Sequence, residues 1–532
     1  MISAPTNASI RSRRGKLAQR SALAAVLAVC ALGQLSAAQS ESPAPEAAKP
    51  KPEAAPEPKS SKTQHQLAID GNPVLYTATA GWLIMKDDKD KAIARFGYTA
   101  YTLNGVEDLG RRPIMFAYNG GPGSSSIWLH MGILGPKRVV LKDAQYTPPP
   151  PTNVVDNQFS PLDVTDIVMI DPVGTGFSKP LGEAKGADFW GVDQDVKSVG
   201  AFIKRYVTEN GRWGSPKYLC GESYGGVRSA ALVQYLQSSQ GMNFNGVVLV
   251  SPFLSMFSGV DGVAIDLPHV LYLPTFASTA WFQGALADKP ASLESYLAEV
   301  ERFAYQEYAP ALMKGYAIPV AEKKAIAAKL GKYTGTSADY WERADLRVSH
   351  PQFLQELKRN QRLITGRIDS RFVGPSLNAL GDKMDYDPFF PAIGPAFTAG
   401  FLDYLRKQLE FGQDEEYRVS AFDVKWDWHH KQPGLGADEF GDMPMTNTVP
   451  DLSLALKMNP SLQVLVQQGR YDMATPFLAM KYDLDHLDIP VEARQRVHVE
   501  YYDAGHMMYV NDDCAKQFRE STVKFIRDTD RL

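Results

Sequence analysis

A doubly wound α/β architecture, with a mostly parallel sheet and a largely helical insertion, is what this sequence predicts on three observations. Short apolar runs without polar alternation recur at residues 114–118, 167–170, 217–220, 247–250, 464–466 and 497–501. Strands of that kind are covered on both faces, as in a parallel sheet between helices. Helix-compatible stretches at 191–207 and 227–236 fall between them, which supplies the alternation that such a sheet needs. Between 252 and about 449 the strand rhythm stops and helical runs take over, at 291–308, 321–330, 340–348 and 397–411. This part is expected to be an insertion over the sheet, because strands resume only at Leu462.

The first 38 residues predict an export signal. Arg11, Arg13, Arg14, Lys16 and Arg20 precede an apolar run over 22–35, and Ser36-Ala37-Ala38 offers the small residues of a cleavage site. That run is too short and alanine-rich for a stable membrane span, and bulky Val29 before Cys30 disfavours a lipid anchor. An exported protein, periplasmic or secreted, is expected. Residues 39–64 are rich in Pro, Ala, Glu, Lys and Ser, and such a segment has too little apolar surface to offset its ordering entropy. The chain then divides into a core segment 65–255, a helical cap 256–447 and a second core segment 448–532. Two β-rich runs within 74–103 flank Asp87-Asp88-Lys89-Asp90 and predict an antiparallel hairpin at a sheet edge.

An apolar content of 44% over 532 residues is enough for a large buried core. Net charge is -4, or -9 once the five cations of the signal are removed, so nucleic acid is not an expected partner. Without the signal only Cys220 and Cys514 remain. That excludes a disulfide scaffold and leaves one bridge or, the favoured reading, two buried free thiols.

The candidate chemistry centres on Gly221-Glu222-Ser223-Tyr224-Gly225-Gly226. A strand runs into Gly-x-Ser-x-Gly and a helix follows, so the serine is expected on a sharp turn with its hydroxyl exposed. A serine needs a base to take its proton, and the base needs an orienting acid. In α/β hydrolases these follow in the order serine, acid, histidine, each just past a strand. Asp472, after the strand at 464–466, and His506, after the strand at 497–501, meet that order. Singly, Asp472 reads rather as a helix N-cap or surface-turn aspartate and His506 as a loop histidine near the surface. Together with Ser223 they predict a triad. Asn119-Gly120-Gly121-Pro122-Gly123 follows the strand at 114–118; its amides, with that of Tyr224, are candidate oxyanion donors. No Lys-Ser or Lys-Thr follows these glycines, which argues against a phosphate loop.

Five motifs in order resemble the serine carboxypeptidases: Asn119 to Gly123; Asp171-Pro172-Val173-Gly174-Thr175-Gly176-Phe177-Ser178; Gly221 to Gly226; Gly469 to Asp472 with Pro476; and Gly505-His506. The resemblance covers the hydrolase core, and the insertion only loosely. It implies an α/β-hydrolase fold, with Ser223 as nucleophile, His506 as general base and Asp472 as its orienter. It further implies an oxyanion hole from the Gly121 and Tyr224 amides, and Asn119 and Glu222 gripping the substrate's terminal carboxylate. The expected partner is a peptide with a free C-terminus, and neither metal nor organic cofactor is expected. Two residues depart from the family pattern. Ser124 stands where a cysteine is usual, and Ile133 where a glutamate usually pairs with the one beside the serine. Any rise in the pKa of Glu222 must therefore come from desolvation or another acid.

Asp427-Trp428-His429-His430 is read as a solvated loop rather than a metal site, since adjacent histidines point different ways on most backbones. Asp438, Glu439 and Asp442 are read as an acidic turn. An esterase or acyltransferase on the same scaffold, and a catalytically silent binding protein, are the alternative functions.

Overall fold

A computed structural model describes residues 57–433, 442–443 and 445–530 of the chain. The expected signal at 1–38, most of the expected linker, and Asp438 and Glu439 lie outside the described residues. Nine strands form the main path of one sheet: β1 (Lys59–Ile69), β2 (Asn72–Lys86), β3 (Ala92–Leu103), β4 (Ile114–Tyr118), β5 (Asp166–Ile170), β6 (Lys217–Glu222), β7 (Gly246–Val250), β8 (Gln463–Gly469) and β9 (Val497–Tyr502). Their spatial order is β1-β2-β3-β5-β4-β6-β7-β8-β9, and the two-residue strand Lys179–Pro180 adds to β3. From β5 to β9 every pairing is parallel. The β1–β2–β3 meander joins antiparallel at β5.

The expected hairpin forms between β2 and β3, but it is not the edge. Residues 59–64, expected in the linker, instead pair with β2 from Lys59 opposite Trp82 to Gln64 opposite Thr77. Their polar side chains concealed this, because ladder hydrogen bonds come from the backbone and an edge strand needs few apolar residues. Only Leu67 and Ile69 in β1 are buried. At the opposite edge, β9 alternates half-buried and exposed residues, whereas 497–501 was expected to be covered on both faces. An edge strand with one open face accounts for the alternation.

Helices cover both faces. α1 (Val192–Glu209) and α2 (Gly225–Gln240) pack on one, with Val449–Met458 and Phe477–Asp485. On the other lie Phe389–Lys407 and the C-terminal helix Asp512–Thr529. The described residues between 251 and 462 add no strand to this sheet. They are not one roof, however. Leu267–Phe282, Leu293–Phe303 and Val320–Thr334 build their own core around Trp341 and Phe353, seated on Phe477 and Leu478. Phe389–Lys407 belongs instead to the sheet's own core. Two short ribbons, Leu363–Thr365 with Val373–Pro375 and His430–Lys431 with Asp442–Met443, interrupt the helices.

Two helical expectations shift. The run at 340–348 is helical only to Arg343, and Asp345 and Leu346 then turn with φ of 48° and 65°. The run at 397–411 starts earlier, at Phe389, and ends at Lys407. Among the described residues no helix is long and apolar enough to cross a membrane.

Candidate active site

Between β6 and α2 the chain reverses at Ser223, whose φ of 63° puts a non-glycine residue in the left-handed region. Such strain persists only where surrounding contacts impose it. Here the Ser223 N–H donates to Val250 C=O at 2.9 Å and its C=O accepts from Gly226 and Phe253. A Cβ on Gly221 would lie 2.2 Å from the Gly225 carbonyl oxygen, so only glycine lets the strand meet the helix there. A Cβ on Gly120 would lie 2.5 Å from the Tyr224 nitrogen, which shows how closely the 119–123 loop approaches the elbow. Ser223 opens into a cleft of about 320 Å³ lined also by Asn119, Gly121, Glu222, Arg367 and His506.

His506 is buried, and its Nδ1 lies 2.7 Å from Asp472 Oδ2. An ionised carboxylate only accepts, so Nδ1 carries the hydrogen and Nε2 is left with its lone pair. Asp472 is fully buried. Its Oδ1 accepts from the Ala474 and Thr475 amides at 2.8 and 2.9 Å, and its Oδ2 also takes the Thr475 hydroxyl at 2.6 Å. The turn-capping role and the histidine-orienting position thus coexist in one side chain. Burial opposes a charge on His506, but Asp472 and then Glu222 outweigh it and raise its pKa above the ordinary value. The loop bearing His506 is held from the insertion. Its N–H donates to Ile368 C=O at 2.8 Å, and the Gly505 N–H donates to Asp369 Oδ2 at 3.2 Å. Arg371 donates to Asp369, to Asp143 and to the Asp503 carbonyl, so one guanidinium ties three segments around the loop.

At the cleft floor, Asn119 Nδ2 donates to Glu222 Oε1 at 2.8 Å, and the Tyr509 hydroxyl donates to Oε2 at 2.6 Å. Burial pushes the Glu222 carboxyl up to about 7, although nearby His506 and both hydrogen bonds pull the other way. Desolvation therefore supplies the rise, in the absence of a glutamate at Ile133. Ile133 is itself buried in the turn His130–Leu134. Asn119 is fixed in turn: Leu129 N–H donates to its side-chain oxygen, and buried Arg228 donates to its carbonyl while pairing with Asp195. No hydrogen bond engages the Gly121 or Tyr224 N–H among the described residues. Gly121 lines the cleft beside Ser223.

Other motif residues brace this frame. Asp171 accepts from the Ser126 amide and the Tyr417 hydroxyl, and Ser178 bridges the Gly97 amide and the Asp171 carbonyl. Ser124 accepts the Trp128 indole N–H at 2.9 Å and pairs across a β-bridge with Ser420. That bridge leads to Phe422, which lines the cleft. Tyr509, Thr475, Asp369 and Arg367 escaped the sequence reading. Thr475 lies only three residues beyond Asp472 and bonds it locally, whereas Tyr509, Asp369 and Arg367 arrive by tertiary packing.

Away from the cleft, His429 bonds Asp427, and His430 bridges Asp193 at 2.7 Å and Asp451 at 3.0 Å. The adjacent rings do point to different partners, but His430 is buried rather than solvated as expected. Among the described residues no group of three His, Cys, Asp or Glu side chains is arranged to hold a metal ion. Cys220 and Cys514 are buried free thiols.

A mostly parallel sheet, a strained serine between strand and helix, and an imidazole held by a carboxylate in the same cleft define an α/β hydrolase. Within that class, the serine carboxypeptidase family model matches residues 73–278. Serine carboxypeptidase-like 36 of Arabidopsis thaliana is 25% identical over 210 residues, spanning 38% of this chain and 40% of the relative's length. The structure is similar to that of Kex1Δp, a prohormone-processing carboxypeptidase from Saccharomyces cerevisiae, with a TM-score of 0.53 at 14% identity over 88% of this chain and 96% of that one. The resemblance to the serine carboxypeptidases read from five motifs is shown over 73–278 by sequence, and the fold by structure.

Proposed function

We propose that this chain is a serine-type carboxypeptidase, hydrolysing the C-terminal residue from peptides through an acyl-enzyme. The observation that carries the reading is Glu222. A carboxyl raised to about 7 is protonated in mildly acidic solution, and only the protonated form can donate to a substrate carboxylate. It stands beside Asn119 on the floor of the cleft that holds Ser223 and His506. That is where the free terminus of a peptide would sit one residue beyond the scissile bond.

In this reading Ser223 Oγ attacks the last peptide carbonyl while His506 Nε2 takes its proton. The tetrahedral oxyanion accepts from Gly121 and Tyr224, a pair of preformed donors each worth on the order of 100- to 1000-fold in turnover. The imidazolium, steadied by Asp472, returns the proton to the departing amine, and the amino acid leaves. Water then attacks the acyl-enzyme, giving its proton to His506, and collapse of the second intermediate restores Ser223 and releases the shortened peptide.

Matched peptides with free and amidated C-termini test this. The proposal expects single-residue release from the free acid and a loss of at least about tenfold in kcat/KM on amidation. Equal turnover of both, or turnover of simple esters alone, supports an esterase or acyltransferase on the same scaffold. We also propose export, supported by the basic, apolar and small-residue succession of residues 1–38; a mature protein beginning near Gln39 by mass spectrometry tests it.

A further inference from the structure

The proposed chemistry uses Ser223, His506, Glu222 and Asn119, but the cleft also exposes a cation to which it gives no role. Arg367 lines the cleft with Ile368, Ala474, His506 and Met507, and it is exposed there. Its main chain is anchored at both ends. The carbonyl accepts the Met473 N–H at 3.0 Å, and the N–H bonds the Asp387 carboxyl. Asp387 is committed to main-chain donors, taking the amides of Ile368 and Phe389 as well. Among the described residues no side-chain hydrogen bond or ion pair within 4 Å engages the Arg367 guanidinium, although its charge does lower the Asp387 carboxyl against the effect of burial. Its charge is nevertheless felt at the catalytic imidazole, where it opposes protonation of His506.

From this placement we infer that Arg367 is a specificity-determining residue, selecting substrates whose departing C-terminal residue carries an acidic side chain. The inference rests on the carboxypeptidase reading above. A guanidinium presents planar, paired donors that match a carboxylate. The remainder of the cleft offers it none: Glu222 is taken by Asn119 and Tyr509, and Trp128, Phe390 and Phe422 are aromatic. The side of the cleft fixes the substrate position. His506 must hand its proton to the departing amine, so the departing residue lies on the His506 side. Arg367 immediately precedes Ile368, whose carbonyl holds the His506 N–H. The departing residue thus has two anions to place. Its α-carboxylate meets Asn119 and protonated Glu222, and its side-chain carboxylate meets Arg367.

The test is C-terminal release from peptide pairs that differ only in a last residue of Glu or Gln, at low salt and about pH 6. There the substrate side chain is ionised and Glu222 holds its proton. The protein is expected to favour the Glu peptide by about tenfold in kcat/KM, the scale of one charge-assisted contact. Arg367→Gln is expected to bring that ratio close to one, and Arg367→Glu to favour a terminal Lys over a terminal Glu, a reversal that misfolding cannot imitate. A wild-type ratio near one, a ratio unmoved in Arg367→Gln, or a preference that follows the penultimate residue instead overturns the inference while leaving the carboxypeptidase reading standing. Failure to release a residue from any free-acid peptide overturns both.

Discussion

Glu222 and His506 bias each other's protons, and the pH dependence of the reaction follows from that pair. Burial holds the Glu222 proton on until about pH 7, against the pull of charged His506. His506 is held protonated by Asp472 and, once ionised, by Glu222. In the proposed mechanism turnover needs a neutral imidazole and a protonated Glu222, so kcat/KM, which reports the free protein, is expected to be bell-shaped with its alkaline limb near pH 7. Glu222→Gln keeps a donor but cannot ionise. It should therefore lose the alkaline limb and keep the acid limb, which belongs to His506 and is set while Glu222 is still protonated. A pH profile identical to that of the unmodified protein would contradict this role. That Ser223, Asp472 and His506 come together was legible because each lies just past a strand, in the order such a site needs. Tyr509 was not, because nothing in Met507-Met508-Tyr509 indicates that a short turn carries the hydroxyl back under Glu222.

Elements decide how firmly the histidine loop is held. The segment between the short strands Leu363–Thr365 and Val373–Pro375 carries Ile368, Asp369 and Arg371, and each touches the 503–506 loop. Arg371→Met would leave Asp369 buried without its cation, and breaking a buried pair from one side costs about 3–5 kcal/mol. Denaturant titration should show a loss of that order, with a fall in kcat; unchanged stability would mean that the loop is held elsewhere. A second tie lies at His430, clamped between Asp193 on α1 and Asp451 on the following helix. The two carboxylates raise its pKa to about 9, against the effect of burial. Burial also raises Asp451 above its usual range, so the net gain is smaller than the histidine shift alone implies. The sign is that of a raised base. The stabilisation is complete below the unfolded value of 6.5 and is lost as pH climbs through about 9, on the order of 2 kcal/mol. Unfolding midpoints across that window should fall in the natural protein and hold level in His430→Phe; a parallel fall in both would discount the clamp. Neither tie was visible in sequence, because each joins segments more than a hundred residues apart or reads locally as loop.

Over the whole molecule, the buried parallel strands were legible because continuous apolar runs have few other uses. The edges were not. β1 is polar and β9 alternates, since an edge strand has one face open to water. The insertion read as one helical roof, whereas Phe389–Lys407 closes the sheet's own core, and no local periodicity distinguishes helices packed on different partners. The core contains both cysteines as buried thiols, Cys220 on the central β6 and Cys514 at the start of the last helix. Burial pushes both above the usual thiol range, Cys514 to about 12. Neither should react with a thiol reagent until the fold opens, and reductant should leave the unfolding midpoint unmoved; alkylation of the native protein within minutes would show the core to be looser than described.

The central claim is that the strained serine is made nucleophilic by an imidazole over 280 positions away in sequence. Labelling with a serine-directed phosphonate, mapped by peptide mass spectrometry, tests it most directly. The account predicts one modified residue, Ser223, at a rate that drops by on the order of a thousandfold or more in His506→Ala. Labelling absent from Ser223, or undiminished without His506, would contradict it.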